Sequence, residues 1–499
     1  MNAVRQVTKE NFMAALRSLA WGLGVILVAM RFGLAVTLLW LSHAAAQDSS
    51  QVLREFVGYR TTLATRTLTA EQKELAVQLQ QRAMSAGQLK QFGEAMRHLH
   101  HGKAVMQGLE WTPEVQLASS LKLAPEHAIW EPGQKVVLRF DSLFPTDATA
   151  AKSIPATAVL EHELGRWANV NAKWSGTIEV PKLAPGKYRL DVKPGAHGAI
   201  VKSADVIVEP GLRSQVSALR SRVAALKASP GLALWTAQYL SVLFDRADRN
   251  QVNPGQIDWS RELKSAASIV AALEAGTDPF SGRKGDMRQA YLSAVDNSLQ
   301  PYRLYVPSSY DSAKATPIVI ALHGMGGDEN TLLDRYGSKV LMEEAEKQGF
   351  LLAAPKGREP ASMYRESAET DVLDVLAQVR KQYRIDDARI YLIGHSMGAF
   401  GTWSIAMNHP DLFAALGAVS GGGNEEGLEN IKRIPQYIVH GDSDKTVPVK
   451  SSRSMVAAAK ELAIPVEYVE IPGGGHGDAF VPSIPKMFEW LAKQRKAVN

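Results

Sequence analysis

Gly394-His395-Ser396-Met397-Gly398 follows the strand-like run Ala388-Arg389-Ile390-Tyr391-Leu392-Ile393 and precedes a helix-like run. That context turns a loose Gly-x-Ser-x-Gly pattern into a nucleophile elbow, a sharp strand-to-helix turn with one serine at its tip. Glycine is needed on both sides because a Cβ there collides with the neighbouring strand or helix, while Ser396 is held in a strained backbone conformation. Without further support the pattern fits an ordinary tight turn as well as a catalytic serine.

Support comes from downstream. A serine hydroxyl is a weak nucleophile until a histidine takes its proton and an acid fixes that histidine's tautomer. Gln436-Tyr437-Ile438-Val439-His440-Gly441 reads as a buried strand, and the following turn, Asp442-Ser443-Asp444-Lys445-Thr446-Val447-Pro448, carries two carboxylates. Asp444, three residues before Val447-Pro448, is the candidate acid, and Asp442 suits a turn cap. After the strand-like run Val466–Ile471 comes Pro472-Gly473-Gly474-Gly475-His476-Gly477, which sets His476 on a loop that little stiffens. The chain order Ser396, Asp444, His476 is the order in which the elbow's partners follow it.

A fourth part is a place for the negative charge that develops on a substrate carbonyl oxygen. Thr316–Leu322 is an apolar, buried strand that runs into His323-Gly324-Met325-Gly326-Gly327-Asp328. Backbone N–H groups of Met325 and Met397 are the candidate oxyanion donors, each such donor being worth about 3 kcal/mol of barrier. His323 and His395 flank these motifs and are read as positional.

With these residues in place, the segment 298–499 resembles the α/β-hydrolase superfamily, and within it secreted esterases of the polyhydroxybutyrate-depolymerase and feruloyl-esterase type. It is also similar to peptidases near the prolyl oligopeptidase catalytic domain. The likeness rests on Gln300-Pro301-Tyr302-Arg303-Leu304-Tyr305-Val306-Pro307, Leu322-His323-Gly324, Asp371 through Gly398, His440 to Pro448 and Gly473 to Gly477. It implies Ser396 as nucleophile, Asp444 as triad acid and His476 as base.

The coarse pattern agrees independently. Strand candidates at Arg303–Val306, Ile318–Leu322, Phe350–Ala354, Ile390–Ile393, Ala414–Val419, Tyr437–Val439 and Val466–Ile471 alternate with helical patterns, which is the signature of a mostly parallel sheet. Val372, Leu373, Val375, Leu376, Val379 and Tyr383 recur at helical spacing and lay one helix face on that sheet. All four catalytic pieces follow strand carboxyl ends, where ligands gather in such folds.

The rest of the chain suggests where the protein works. Residues 1–46 combine Met30-Arg31, the apolar run Leu34 to Leu41 and a small-residue site ending at Ala46, the parts of an export signal, with Met30 as an alternative start. A signal anchor is the competing reading, but Arg31 breaks the apolar stretch below spanning length. Removing 1–46 leaves 52 basic and 50 acidic residues, a balance that does not support nucleic-acid binding. No cysteine is present, which excludes disulfides, thiolate metal sites and a cysteine nucleophile.

Residues 47–111 read as helical. From 112 to 210, short runs at Lys135–Phe140, Ala158–Glu163, Trp174–Val180, Tyr188–Val192 and Ile200–Val208, with Pro-Gly turns, suggest an immunoglobulin-like β-sandwich. Residues 211–297, with Val216, Leu219, Val223 and Leu226 in register, suggest helices that brace the sandwich against the hydrolase. His98, His100 and His101 read as a solvated helix end rather than a metal site, since only His98 and His101 share a face. Tyr364 and Arg365 are candidates for lining a substrate cleft, a loop anchored by a salt bridge being the alternative.

The expected chemistry is two-step hydrolysis of a carboxylic ester, with no metal or organic cofactor. The substrate is an ester, with acylated polysaccharide and polyester as the polymeric candidates, and no nucleic-acid or stable membrane partner is expected. A prolyl-oligopeptidase-type peptidase is the nearest rival, though the upstream region lacks blade-length repeats. A non-catalytic carbohydrate- or surface-binding protein is the third reading.

Overall fold

Alternation of buried and exposed positions shapes the upstream half, and unbroken burial shapes the downstream half. The computed structural model describes residues 51–195, 198–335 and 339–496, so the export-signal reading of 1–46 falls outside the described residues. The chain enters through helical residues 51–65 and the antiparallel-packed helices Ala70–Gln88 and Phe92–Met106. Thr69 closes a capping box with Gln72 at the start of the first of these.

Where the sequence suggests strands from residue 112 onward, a helix comes first. Thr112 accepts the N–H of Val115 through its side chain and Pro113 occupies the first turn, so Pro113–Ser120 is helical. The strands that follow are β1 (Leu121–Pro125), β2 (Ile129–Trp130), β3 (Lys135–Ser142), β4 (Ile154–Val159), β5 (Glu163–Val170), β6 (Ser175–Glu179), β7 (Gly186–Pro194) and β8 (Lys202–Val208). They form sheets of order β1-β3-β6 and β2-β8-β7-β4-β5. Leu123, Val136, Leu138 and Ile178 of the first share one core with Ala156, Leu190, Val192 and Val206 of the second. The expected single strand Ala158–Glu163 is instead the end of β4, a turn at residues 160–162 and the start of β5.

Helices Leu212–Ala225, Leu232–Asp248 and Trp259–Glu274 lie between this sandwich and the second half. Their core includes Ile129 and Ile207 on one side and Ala290 on the other. Buried Asp248 accepts hydrogen bonds from both terminal nitrogens of Arg213 at 3.0 and 2.9 Å and from the Ile129 N–H at 3.2 Å, which ties sandwich to helix. The reading of 211–297 as helical fails at its end, because Gly285–Leu292 is a strand, β9.

β9 opens a sheet of eight strands with β10 (Leu299–Val306), β11 (Thr316–Leu322), β12 (Leu351–Pro355), β13 (Ile385–His395), β14 (Ala415–Val419), β15 (Gln436–Gly441) and β16 (Val466–Ile471). The order is β16-β15-β14-β13-β11-β12-β10-β9, with β9 and β10 antiparallel to their neighbours and the remaining pairs parallel. All seven positions of β11 are buried, as a strand covered on both faces requires. Ile318, Ile320 and Leu322 face helix Ser367–Gln382 with Val372 and Val375, and Val319 and Ala321 face Leu341, Phe480 and Met487. The chain passes from β11 to β12 on one side and returns to β13 on the other, so a crevice opens at the carboxyl ends of β11 and β13.

Candidate active site

β13 stops at His395 and helix Met397–Asn408 starts at Met397, which leaves Ser396 alone in the bend at φ 56° and ψ −118°. The glycines on either side are sterically required. A Cβ on Gly394 would lie 2.2 Å from the carbonyl group of Gly398, and one on Gly398 would lie 2.1 Å from the Leu322 carbonyl oxygen. Helix, elbow and β11 therefore touch backbone to backbone, and the Ser396 N–H donates to the Val419 carbonyl of β14 at 2.9 Å. A strained serine persists because three elements over-determine it.

The loop after β11 folds back onto the elbow. A Cβ built on Gly324 would come within 3.3 Å of Ser396 Cβ. His323 is buried between two carbonyl oxygens, with Nε2 2.7 Å from that of Lys356 and Nδ1 2.8 Å from that of Gly324, so it shapes the loop and faces away from reacting atoms. Among the described backbone hydrogen bonds, none uses the N–H of Met325 or of Met397.

Asp444 and His476 arrive from the far side of the sheet. Ser396 Oγ donates to His476 Nε2 at 2.8 Å, and His476 Nδ1–H donates to Asp444 Oδ2 at 2.7 Å. The Asp444 side chain is fully buried, while that of His476 keeps 21% exposure and is open to a substrate. Burial alone would raise the Asp444 pKa, but hydrogen bonds from His440 and His476 and the nearby imidazole outweigh it and hold the carboxyl well below the usual range. Its other oxygen accepts the N–H groups of Thr446 and Val447 at 2.8 and 2.9 Å, the turn that sequence reasoning used to choose it over Asp442.

The His476 loop is stiffer than its glycines suggest. Its carbonyl oxygen accepts from His395 Nε2–H at 3.0 Å and from Ser420 Oγ at 3.2 Å, and Gly473 and Gly475 donate to Asp442 and Asp478. Burial pushes the His395 pKa down to about 4, so this ring stays neutral and acts as a strut. Sequence reasoning gave Ser420 no role, and the signal was slight, a residue just past a buried strand at φ 54°.

Two expectations need correction. Tyr364 does not line an open cleft, since it is fully buried, its hydroxyl points 3.4 Å from the His323 carbonyl oxygen and its ring fills the space beside Gly401 and Gly357. It supports the β11 loop from behind, and Arg365 next to it is exposed. The His98–His101 group is not a solvated helix end either, because the helix continues to Met106, His101 stacks on Trp111 at 4.4 Å and His100 packs against Phe144.

The chain is similar in sequence to known esterases. The profile of the family described as esterase PHB depolymerase matches residues 300–451, which include Ser396 and Asp444. Cutinase 2 of Thermobifida cellulosilytica is 31% identical over 215 residues, covering 43% of this chain and 77% of that protein. The chain belongs to the α/β-hydrolase esterases. The bifunctional acetylxylan esterase/xylanase XynS20E of Neocallimastix patriciarum is 31% identical over 145 residues, 28% of this chain, and the chain spans only 21% of that larger relative. A crystal structure of a thermostable esterase aligns at 28% identity with TM-score 0.39, over 42% of this chain and 63% of that one.

Proposed function

We propose that the chain is an exported serine hydrolase that cleaves carboxylic esters through an acyl-enzyme. The observation that carries the proposal is the unbroken chain of hydrogen bonds from Ser396 Oγ through His476 to buried, ionised Asp444. His476 Nε2 removes the Ser396 proton as Oγ attacks the ester carbonyl carbon. The oxyanion rests on the N–H groups of Met325 and Met397, which no backbone acceptor among the described residues claims. His476 then passes its proton to the departing alkoxide. A water molecule, deprotonated by the same nitrogen, attacks the acyl carbon; the acyl–Oγ bond then breaks, the carboxylic acid leaves, and His476 returns its proton to Ser396 Oγ.

Polymeric esters, acylated polysaccharide or polyester, are the proposed substrates, a reading supported by relatives named cutinase and acetylxylan esterase. Export is supported by the signal-like residues 1–46. Among the described residues no helix is long and apolar enough to cross a membrane. The test is a panel of p-nitrophenyl esters, acetylated xylan and a proline-containing peptide. Turnover of the esters with no cleavage of the peptide supports the assignment, and preferential cleavage of the peptide overturns it.

A further inference from the structure

His440 is a further imidazole beside the triad acid with no part in the steps above, and its surroundings are built around it. It is the penultimate residue of β15, is fully buried, and lies four residues before the triad acid. Its Nε2 faces two acceptors, Asp444 Oδ2 at 3.2 Å and the Val447 carbonyl oxygen at 2.9 Å, so that nitrogen carries a proton. Its Nδ1 lies 2.6 Å from Ser452 Oγ, which in turn lies 3.0 Å from the Gly421 carbonyl oxygen. The hydroxyl either donates to Nδ1, or donates to Gly421 while accepting from a protonated Nδ1. In both states the Nε2 proton is shared between the Val447 carbonyl oxygen and Asp444 Oδ2.

Asp444 Oδ2 thus accepts from two imidazoles, His476 at 2.7 Å and His440 at 3.2 Å, while Oδ1 accepts two backbone N–H groups. Four donors on a buried carboxylate use its whole accepting capacity and leave it no second orientation. Ser452, itself fully buried, fixes His440 from helix Lys450–Glu461, and Gly421 fixes Ser452 from the end of β14. The acid is therefore clamped by three elements of the fold.

We infer that His440 is a positioning residue of the hydrolytic reaction, a second imidazole that aims Asp444 Oδ2 at His476 and shares its negative charge. The inference rests on the triad reading above. Sharing has a direction. A carboxylate that spends part of its charge on His440 stabilises the His476 imidazolium less, so losing His440 makes His476 a stronger base but a worse-aimed one. The titratable groups that interact with this pair, besides His476, are His395 at the end of β13 and Glu470 on β16, the latter ion-paired to Arg453, while exposed Asp442 and Asp478 bind the N–H groups of Gly473 and Gly475 in the His476 loop.

The test compares wild type with H440Q, H440L and S452A on p-nitrophenyl butyrate, with the functional fraction of each preparation counted by a serine-directed phosphonate. Gln keeps an N–H near the Nε2 position, and Leu removes it. H440L is expected to lower kcat about 100-fold with KM within twofold, and to move the acid limb of the kcat/KM profile to higher pH. H440Q is expected to recover to within about tenfold of wild type, and S452A to lose about threefold to tenfold. Should H440L not fold, the H440Q and S452A values with their pH profiles decide the matter. An active wild type with unchanged kcat and pH limb in the variants overturns the role of His440 alone. A wild type that hydrolyses no ester overturns the triad reading, and this inference with it.

Discussion

His476 Nε2 stands 2.8 Å from Ser396 Oγ across 80 residues of chain. Three strands and two loops converge to make that contact, and the hydroxyl has no other hydrogen-bond role among the described residues. Replacing Ser396 by alanine is therefore expected to lower kcat on short p-nitrophenyl esters by on the order of 10,000-fold or more. Melting temperature should stay within about 2 °C, read by circular dichroism.

The elbow glycines carry a different expectation. Gly398→Ala forces a Cβ to 2.1 Å from the Leu322 carbonyl oxygen, a backbone atom that cannot swing aside. Loss of about 3 kcal/mol or more is expected, seen as a lowered urea midpoint or a failure to yield soluble protein. Gly58→Ala in helical residues 51–65 meets nothing within 4 Å and should be neutral or stabilise by about 0.5 kcal/mol.

Acid sensitivity follows from His395. Its folded pKa of about 4 lies below the ordinary histidine value because burial disfavours the charged ring. The unfolded chain then binds the extra proton first as pH falls, so the stability this residue contributes is full above about pH 6.5 and is lost on the way down to pH 4. Asp444 adds a second loss at lower pH, since its carboxyl is also held below its unfolded value. Urea midpoints at pH 4.5, 5.5, 6.5 and 7.5 should fall with acid in the wild type, and His395→Gln should flatten that slope by on the order of 2 kcal/mol across the range.

Tyr364 separates support from recognition. Tyr364→Phe removes only a long hydrogen bond to the His323 carbonyl and should leave KM for every ester within twofold. Tyr364→Ala opens a void under the β11 loop and should cost about 3–5 kcal/mol in chemical unfolding. A Phe variant with a changed ester preference would restore the cleft reading.

The parallel part of the sheet was legible because its strands announce themselves by unbroken apolar runs between glycines, as Ile318–Leu322 and Ile390–Ile393 do. β9 was not. Its sequence, Gly285 to Leu292, places Arg288 and Gln289 among buried positions, where Glu262 and Glu329 pair with the guanidinium and Gln382 bonds the amide. Polar residues that find partners only across 26 to 93 positions of chain look solvent-exposed to any local rule. Helix Pro113–Ser120 was hidden for a different reason, since its Thr112-Pro113 cap stands where the sequence pattern changes to short alternating runs. In the site, the order Ser396, Asp444, His476 was readable from motifs, whereas the anchors His395, Ser420 and Ser452 act through contacts between strand ends that only the fold brings together.

The most direct measurement is mass spectrometry of the protein after a fluorophosphonate probe. The account predicts one adduct per chain, on the peptide bearing Ser396, formed fast in the wild type, slowed strongly in His476→Ala and absent in Ser396→Ala. An adduct on another residue, or ester turnover that persists with Ser396 unlabelled, would contradict it.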